Sequence, residues 1–299
     1  MKEIRVAESF SDSRLDKYLI RLLPSASAGF IYKMLRKKNI TLNGKKASGR
    51  ELLRDGDLIR IFFSDETFEK FSRKEQICSS EGVMLAETDI LYQDKDIMAV
   101  HKPAGLLSQS NRPGGDCLNA RIISYLASEG ELSSDFTPSI VNRLDAATSG
   151  IVLFGKTYHG VRLLTEMIRE RRIVKTYKCI CHKTFEEKVT VTAYLKELSG
   201  NRVSVTAERT DGSKRIITEF IPEKRLSGYT LLTVILHTGR KHQIRAQLAA
   251  LGFPVAGDSK YGHDSGRLYL HAYSVEIPGI GQIVDLLPEE FGRFINAHL

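Results

Sequence analysis

The chain has 299 residues, 42% of them hydrophobic and 27% charged, which suits one large domain plus a small one around a sizeable core. It has no run of about 18 apolar residues and no apolar stretch after Met1-Lys2-Glu3-Ile4-Arg5, so neither a membrane helix nor a secretory signal is expected and a cytoplasmic location is. The net charge of +8 is uneven: residues 1–64 carry 14 Lys and Arg against 7 Asp and Glu, whereas the remainder carries 30 against 29. A basic excess confined to one small segment points to a surface for a polyanion. Cys78, Cys117, Cys179 and Cys181 are too irregularly spaced for a disulfide framework and form no zinc-ligand pattern, so reduced thiols and no metal are expected.

The first 64 residues read as a compact unit. Ser11 or Asp12 can cap a helix with Leu15, Leu19 and Leu22 along one side and Arg14, Lys17 and Arg21 along another, stopped by Pro24. A second helix near residues 27–38 offers Ile31, Met34 and Leu35 to a core and ends in Arg36-Lys37-Lys38, where cations suit the helix C-terminus. A short strand, Ile40-Thr41-Leu42, meets the tight-turn pair Asn43-Gly44, and Asp55-Gly56-Asp57 precedes a closing strand. Two basic-edged helices beside a hairpin resemble the alpha-L RNA-binding module of small-subunit ribosomal proteins, here over residues 12–64. That resemblance implies RNA contacts by Arg14, Lys17, Arg36 and Lys37.

Residues 65–88 are polar, charged and aperiodic, and read as a linker to a second domain, 89–299. Beyond it, strand-like runs predominate at 97–100, 151–154, 177–181, 189–193, 203–207, 216–221, 229–236 and 268–275. Helical patterns are few, at 116–128, 159–171 and 241–251, the last with Ile244, Leu248 and Leu251 as its apolar stripe. The expectation is α+β: a small basic α/β module, then a larger domain on a mixed or antiparallel sheet with few helices.

Three segments carry polar groups suited to chemistry. Asn142-Arg143-Leu144-Asp145-Ala146-Ala147-Thr148-Ser149-Gly150 runs into Ile151-Val152-Leu153-Phe154, placing a carboxylate on a loop at the edge of a buried strand. Alone, such a triplet before Thr-Ser-Gly is more often a structural turn. In Gly239-Arg240-Lys241-His242-Gln243-Ile244-Arg245 a strand gives way to a helix; His242 and Arg245 share a face, and the basic helix start suits an anion such as phosphate. A basic helix start with one structural Arg is an equal reading. In the third segment, Lys175 and Tyr177 alternate along a strand and share a face, where a tyrosine alone is more often half-buried core.

Together, the order and wording of these segments resemble the RluA-type family of pseudouridine synthases, which act mainly on large-subunit ribosomal RNA. The resemblance runs from about Leu91 to the end and includes Lys102-Pro103-Ala104-Gly105-Leu106-Leu107, Gly257-Asp258-Ser259-Lys260-Tyr261-Gly262 and Leu270-His271-Ala272. It implies that Asp145 is the catalytic aspartate, Arg245 its ion-pair partner and Tyr177 the aromatic residue against the target base. Arg143 would hold the opened RNA, with Lys175, Arg240, Lys241 and His242 around it. No cofactor is implied. Where the family usually has His before Arg-Leu-Asp, this chain has Asn142, which hydrogen-bonds but does not carry a proton near neutral pH.

The chemistry agrees. Making pseudouridine breaks a glycosidic bond, turns the uracil and rejoins it through carbon, without a redox step or phosphate donor. A carboxylate can attack the anomeric carbon, attack the sixth carbon of the ring, or remove the 2′ proton, and the residues leave all three open. An arginine within about 4–6 Å favours the charged form that each route needs. The alternative is a non-catalytic RNA-binding or ribosome-assembly factor with a synthase-like body; Asp145, Tyr177 and Arg245 together favour the enzyme. A metal-dependent nuclease or deaminase would need carboxylate clusters or His-x-Glu with paired cysteines, and the eight histidines form no such pattern.

Overall fold

The computed structural model describes residues 1–72, 84–110, 112, 114–132 and 136–299. The chain opens with β1 (Lys2–Arg5), α1 (Leu15–Leu22), α2 (Ala28–Arg36), β2 (Ile40–Leu42), β3 (Lys45–Lys46), β4 (Leu58–Ile61) and α3 (Asp65–Ser72). There follow β5 (Ile90–Gln93), β6 (Ile97–Lys102), α4 (Leu118–Ser128), β7 (Ser139–Ile140), β8 (Ser149–Gly155), α5 (Tyr158–Arg169) and β9 (Val174–His182). The chain closes with β10 (Val189–Leu198), β11 (Arg202–Thr206), β12 (Lys214–Leu226), β13 (Tyr229–Leu236), α6 (Gln243–Ala250), β14 (Leu270–Ile277), β15 (Gly281–Val284) and α7 (Glu289–Ala297).

β1, β4, β2 and β3 form a small antiparallel sheet in that order. Its hairpin turns at Asn43 (φ 50°) and Gly44 (φ 73°), the two left-handed positions of a type I′ turn. Leu15, Leu19, Ile31, Met34 and Leu35 pack onto Ile40, Ile59 and Ile61. The expected cap on α1 is corrected: Asp12 is itself left-handed at φ 62°, and Arg14 occupies the cap without a side-chain bond. The buried Asp16 organises this corner instead. Its carboxylate accepts from Arg14 Nε (3.1 Å) and Nη2 (2.7 Å), Tyr32 Oη (2.6 Å) and the Lys17 amide (2.8 Å).

In the stretch read as linker, residues 65–72 are helical, while residues 73–83, with Cys78, lie outside the described residues. Phe68 and Phe71, three residues apart, set α3 against the N-terminal core, with Phe71 4.5 Å from Phe30. Two aromatic residues among charges give too little periodicity to announce a helix.

The N-terminal core continues onto the larger body. Phe10 stacks on Tyr158 at 5.0 Å, Phe136 meets the same ring edge-on at 6.0 Å, and the Arg21 guanidinium lies 4.4 Å from its centroid. Arg162 Nη1 donates to the Ser11 carbonyl at 3.1 Å.

Among the described residues the large sheet has 11 strands, ordered β11-β10-β12-β13-β9-β14-β8-β6-β5, with β15 beside β14 and β7 beside β8. It is mixed, because β14 and β8 are parallel whereas its other pairings are antiparallel. β8 is buried along its whole length, as its unbroken apolar run demands. Val152 and Phe154 face the core shared with α4 and α6; Ile151 and Leu153 face the core under α5. Each such side chain contributes about 1.5–3 kcal/mol of burial. Gly150, at φ +119°, sits where β8 meets β14, and an added Cβ would lie 2.4 Å from the Ala272 backbone. Only glycine allows that approach.

Candidate active site

The loop before β8 is tied down on both sides of Asp145. Upstream, the Asn142 side-chain oxygen accepts from the Leu153 amide (2.7 Å), and the Val141 amide donates to the Leu153 carbonyl (2.9 Å). Buried Ser108 accepts from the Leu144 amide (3.0 Å) and donates to the Leu144 carbonyl (2.8 Å). Downstream, the Ala146 carbonyl accepts from Lys102 Nζ (3.0 Å) and the Gly105 amide (2.8 Å).

Lys102 is fully buried and also donates to the Pro103 and Leu106 carbonyls, each at 2.8 Å. Burial pushes its pKa down to about 8, against the opposing charge of Asp145. Three carbonyl acceptors satisfy all three ammonium protons, without which burying this group would be prohibitive.

α6 supplies the cation for Asp145. Arg245 Nη1 donates to Asp145 Oδ2 at 3.0 Å, while Nε and Nη2 grip Asp258 Oδ2 and Oδ1 at 2.8 Å each. Burial works against the Arg245 charge, but hydrogen bonds and charge from Asp258, then Asp145, outweigh it and raise its pKa. Asp258 is likewise buried yet held below the usual carboxylate range by Arg245 and by the Lys260 and Tyr261 amides. The bidentate pair fixes the plane of the guanidinium and so aims Nη1 at Asp145.

The helix carrying Arg245 is docked by amides. Gln243 accepts from the Arg240 amide (3.0 Å) and donates to Thr218 (2.8 Å), and Thr218 donates in turn to Gln247 (2.6 Å). Ile244 and Leu248 face the core as expected, but Leu251 is 40% exposed. That is a correction to the expected stripe, since α6 ends at Ala250 and Leu251 caps it outside the packed turn.

On β9, Tyr177 is buried to 8% exposure and borders the same cleft as Asp145. Burial, then the charge of Asp145, raises its pKa, so the phenol stays protonated. Lys175, two residues earlier, borders the cleft too, its pKa lowered by burial. Beneath Tyr177 on the same strand face, burial holds Cys179 and Cys181 as thiols, the latter pushed up to about 12.

The cleft encloses about 1800 Å³, beyond the 300–1,000 Å³ or so typical of small-molecule pockets. Arg143, Arg240 and Lys241 stand exposed on its rim, joined by Arg112, Lys214 and Lys260, and Pro24 and Ser25 reach it from the N-terminal module. His242, placed among the RNA-binding residues by sequence, borders the cleft too and is buried beside Asp145. Lys17, Arg36 and Lys37 are exposed on the module, away from the cleft lining, and Arg14 is committed to Asp16.

The sequence model of a family described as RNA pseudouridylate synthase matches residues 96–250. The chain belongs to that family. As a pseudouridine synthase it is an isomerase of uridine in RNA. It is 34% identical to the ribosomal large subunit pseudouridine synthase C of Rickettsia felis, over 88% of each chain. It is 30% identical to the same-named protein of Pasteurella multocida, over 99% of this chain and 94% of that one. Among solved structures, human RNA pseudouridylate synthase domain containing 4 matches at a TM-score of 0.59 and 22% identity, over 70% of this chain and 92% of that one, a likeness of fold.

Lys102, Ser108, Asp258 and Tyr261 acquired no role from the sequence. Three of them stood inside motifs resembling the family's, but a motif does not say that Lys102 grips the Asp145 loop or that Asp258 shares Arg245. Those partners lie 44 and 13 residues apart.

Proposed function

We propose that this synthase modifies large-subunit ribosomal RNA and that Asp145 carries the chemistry. The names of its curated relatives support the substrate. The observation that supports the residue is the Asp145 carboxylate at the wall of an RNA-sized cleft, held by a buried arginine at 3.0 Å and bordered by Tyr177.

The N1–C1′ bond breaks, the uracil turns, C5 bonds to C1′, and the C5 proton leaves while N1 takes one up. A charged carboxylate serves all three routes open to it, and the Arg245 ion pair keeps one of its oxygens fixed. The target base must leave its stack, at a cost of a few kcal/mol in a duplex and less in a loop. Tyr177, packed on β9, offers a rigid ring against it, with about 1–3 kcal/mol available from stacking. The basic rim binds flanking phosphates in a salt-dependent way.

Asp145→Asn keeps size and hydrogen bonding but removes the nucleophile or base. The expected result is no release of tritium from 5-tritiated uridine in ribosomal RNA, with RNA affinity nearly intact. Turnover above contamination level in the purified variant would overturn the assignment.

A further inference from the structure

The second oxygen of Asp145 faces a group that the ion pair leaves unexplained. His242 Nε2 lies 3.7 Å from Asp145 Oδ1, while Arg245 holds Oδ2. The imidazole is buried, and its other nitrogen, Nδ1, is 2.7 Å from the Tyr261 hydroxyl. That hydroxyl accepts from the Val203 amide at 3.0 Å. The Tyr261 ring meets His242 edge-on at 5.5 Å and lies 5.4 Å from the Arg245 guanidinium. His242 also holds a left-handed backbone (φ 53°, ψ 19°) at the cap of α6, a conformation cheaper for Gly or Asn.

We infer that His242 is a positioning residue for Asp145: Tyr261 holds its neutral ring in the Nε2–H tautomer, which presents a donor to the second carboxylate oxygen. The inference rests on Asp145 being the reacting carboxylate. The tautomer follows from electrostatics. A bare Nε2 lone pair facing a carboxylate is repulsive, whereas Nε2–H is attractive. With Nε2 protonated, Nδ1 is an acceptor, and Tyr261, its oxygen already receiving the Val203 N–H, gives it the phenolic proton. The dipoles then point one way, from Val203 through Tyr261 and His242 to the anion, and reinforce one another.

The groups facing the ring are Asp145, Arg245, Lys241, Lys260 and Tyr261. Burial lowers the His242 pKa from its ordinary 6.5; Asp145 opposes this, and Arg245, Lys260 and Lys241 add to the lowering. A gap of 3.7 Å is too long for a hydrogen bond. The bond belongs to the substrate complex, in which catalytic hydrogen bonds commonly tighten. Once closed, the bond gives the carboxylate two fixed points and sets which lone pair faces the nucleotide.

The test separates this role from a structural one. His242→Asn accepts the left-handed backbone and keeps a partner for Tyr261, but is too short to reach Asp145. His242→Gln places an amide N–H near the position of Nε2. The expected result is a fall of about 10²-fold in kcat for Asn, the order of effect of a misplaced reacting group, with little change in KM and most of the loss recovered by Gln. Tyr261→Phe is expected to lose part of kcat, and ¹⁵N spectra of the wild type to show His242 protonated on Nε2 at neutral pH, a preference weakened in Tyr261→Phe. Wild-type kcat in His242→Asn, or an Nδ1-protonated or cationic ring in the wild type, would overturn the inference. Asp145→Asn is run alongside: activity there would sink the Asp145 reading itself, whereas an inactive Asp145→Asn beside a fully active His242→Asn sinks only the role of His242. The spectra decide the tautomer even if the Asn variant does not fold.

Discussion

The N-terminal module and the body carry charge in opposite ways. Residues 1–64 have a net charge of +7, and Lys17, Arg36 and Lys37 stand exposed in water. The remaining residues net only +1, yet they bury charge at close range, where Arg245 is shared by Asp145 and Asp258 and Lys102 is fully enclosed. Exposed charge of one sign acts at a distance and is screened by salt. Buried, paired charge nearly cancels outside but fixes atoms within a site. Net charge thus points to where a polyanion is drawn, and says nothing of where its chemistry happens.

The sharpest way to break this contrast is in the body. Arg245→Met leaves Asp145 and Asp258 without their shared cation in a buried place. The expected result is a loss of about 3–5 kcal/mol in denaturant unfolding and near-complete loss of single-turnover activity. Arg245→Lys should recover only part of that activity, because an ammonium cannot make the bidentate grip on Asp258 while reaching Asp145. Wild-type rates in the Met variant would remove the ion pair from the mechanism.

A smaller effect is expected from the module. Deleting residues 1–72 should weaken RNA binding and flatten its salt dependence, by about 0.7 in log–log slope for each phosphate on single-stranded RNA that the module's cations no longer neutralise. The rate at saturating RNA should persist, since Asp145, Tyr177 and Arg245 remain. The module also covers Phe136 and Tyr158, so melting temperature should fall as well, with up to about 1.5–3 kcal/mol lost for each ring fully uncovered. Unchanged affinity and salt slope in a well-folded truncation would leave the module a purely structural part.

The mildest change is Asn142→His. Asn142 spends its side-chain oxygen on the Leu153 amide, a bond that the Nδ1 of a neutral histidine can accept equally. Turnover should stay within about tenfold of wild type, equivalent to ~1.4 kcal/mol of barrier. A collapse of activity would show that the loop tolerates only the amide.

How much was legible in the sequence depended on the range of the interaction. The α+β class, strands β6 and β8 to β14 of the large sheet and the Asn43-Gly44 hairpin are local matters of periodicity and turn chemistry, and they stand where patterning put them, whereas β5, β7 and β15, of four residues or fewer, are too short to show a pattern. Asp145, Tyr177 and Arg245 were named through ordered motifs, not through any property of a single residue. α3 stayed hidden because only Phe68 and Phe71 mark its packed side, and the cap of α1 was misplaced because its first amides, of Leu15 and Asp16, donate to the carbonyls of Glu51 and Gly49, more than 30 residues away. By itself, then, the sequence determined most of the elements, though not α3 or α7, together with the uneven charge and the residues of the motifs. Only the tertiary structure decided that Arg245 divides itself between Asp145 and Asp258, that Lys102 and Ser108 hold the Asp145 loop, and that His242 is buried beside the carboxylate. The reason is physical: helices and strands follow from neighbours a few residues apart, whereas a buried polar group takes its role from whichever partner the fold brings to within about 3 Å.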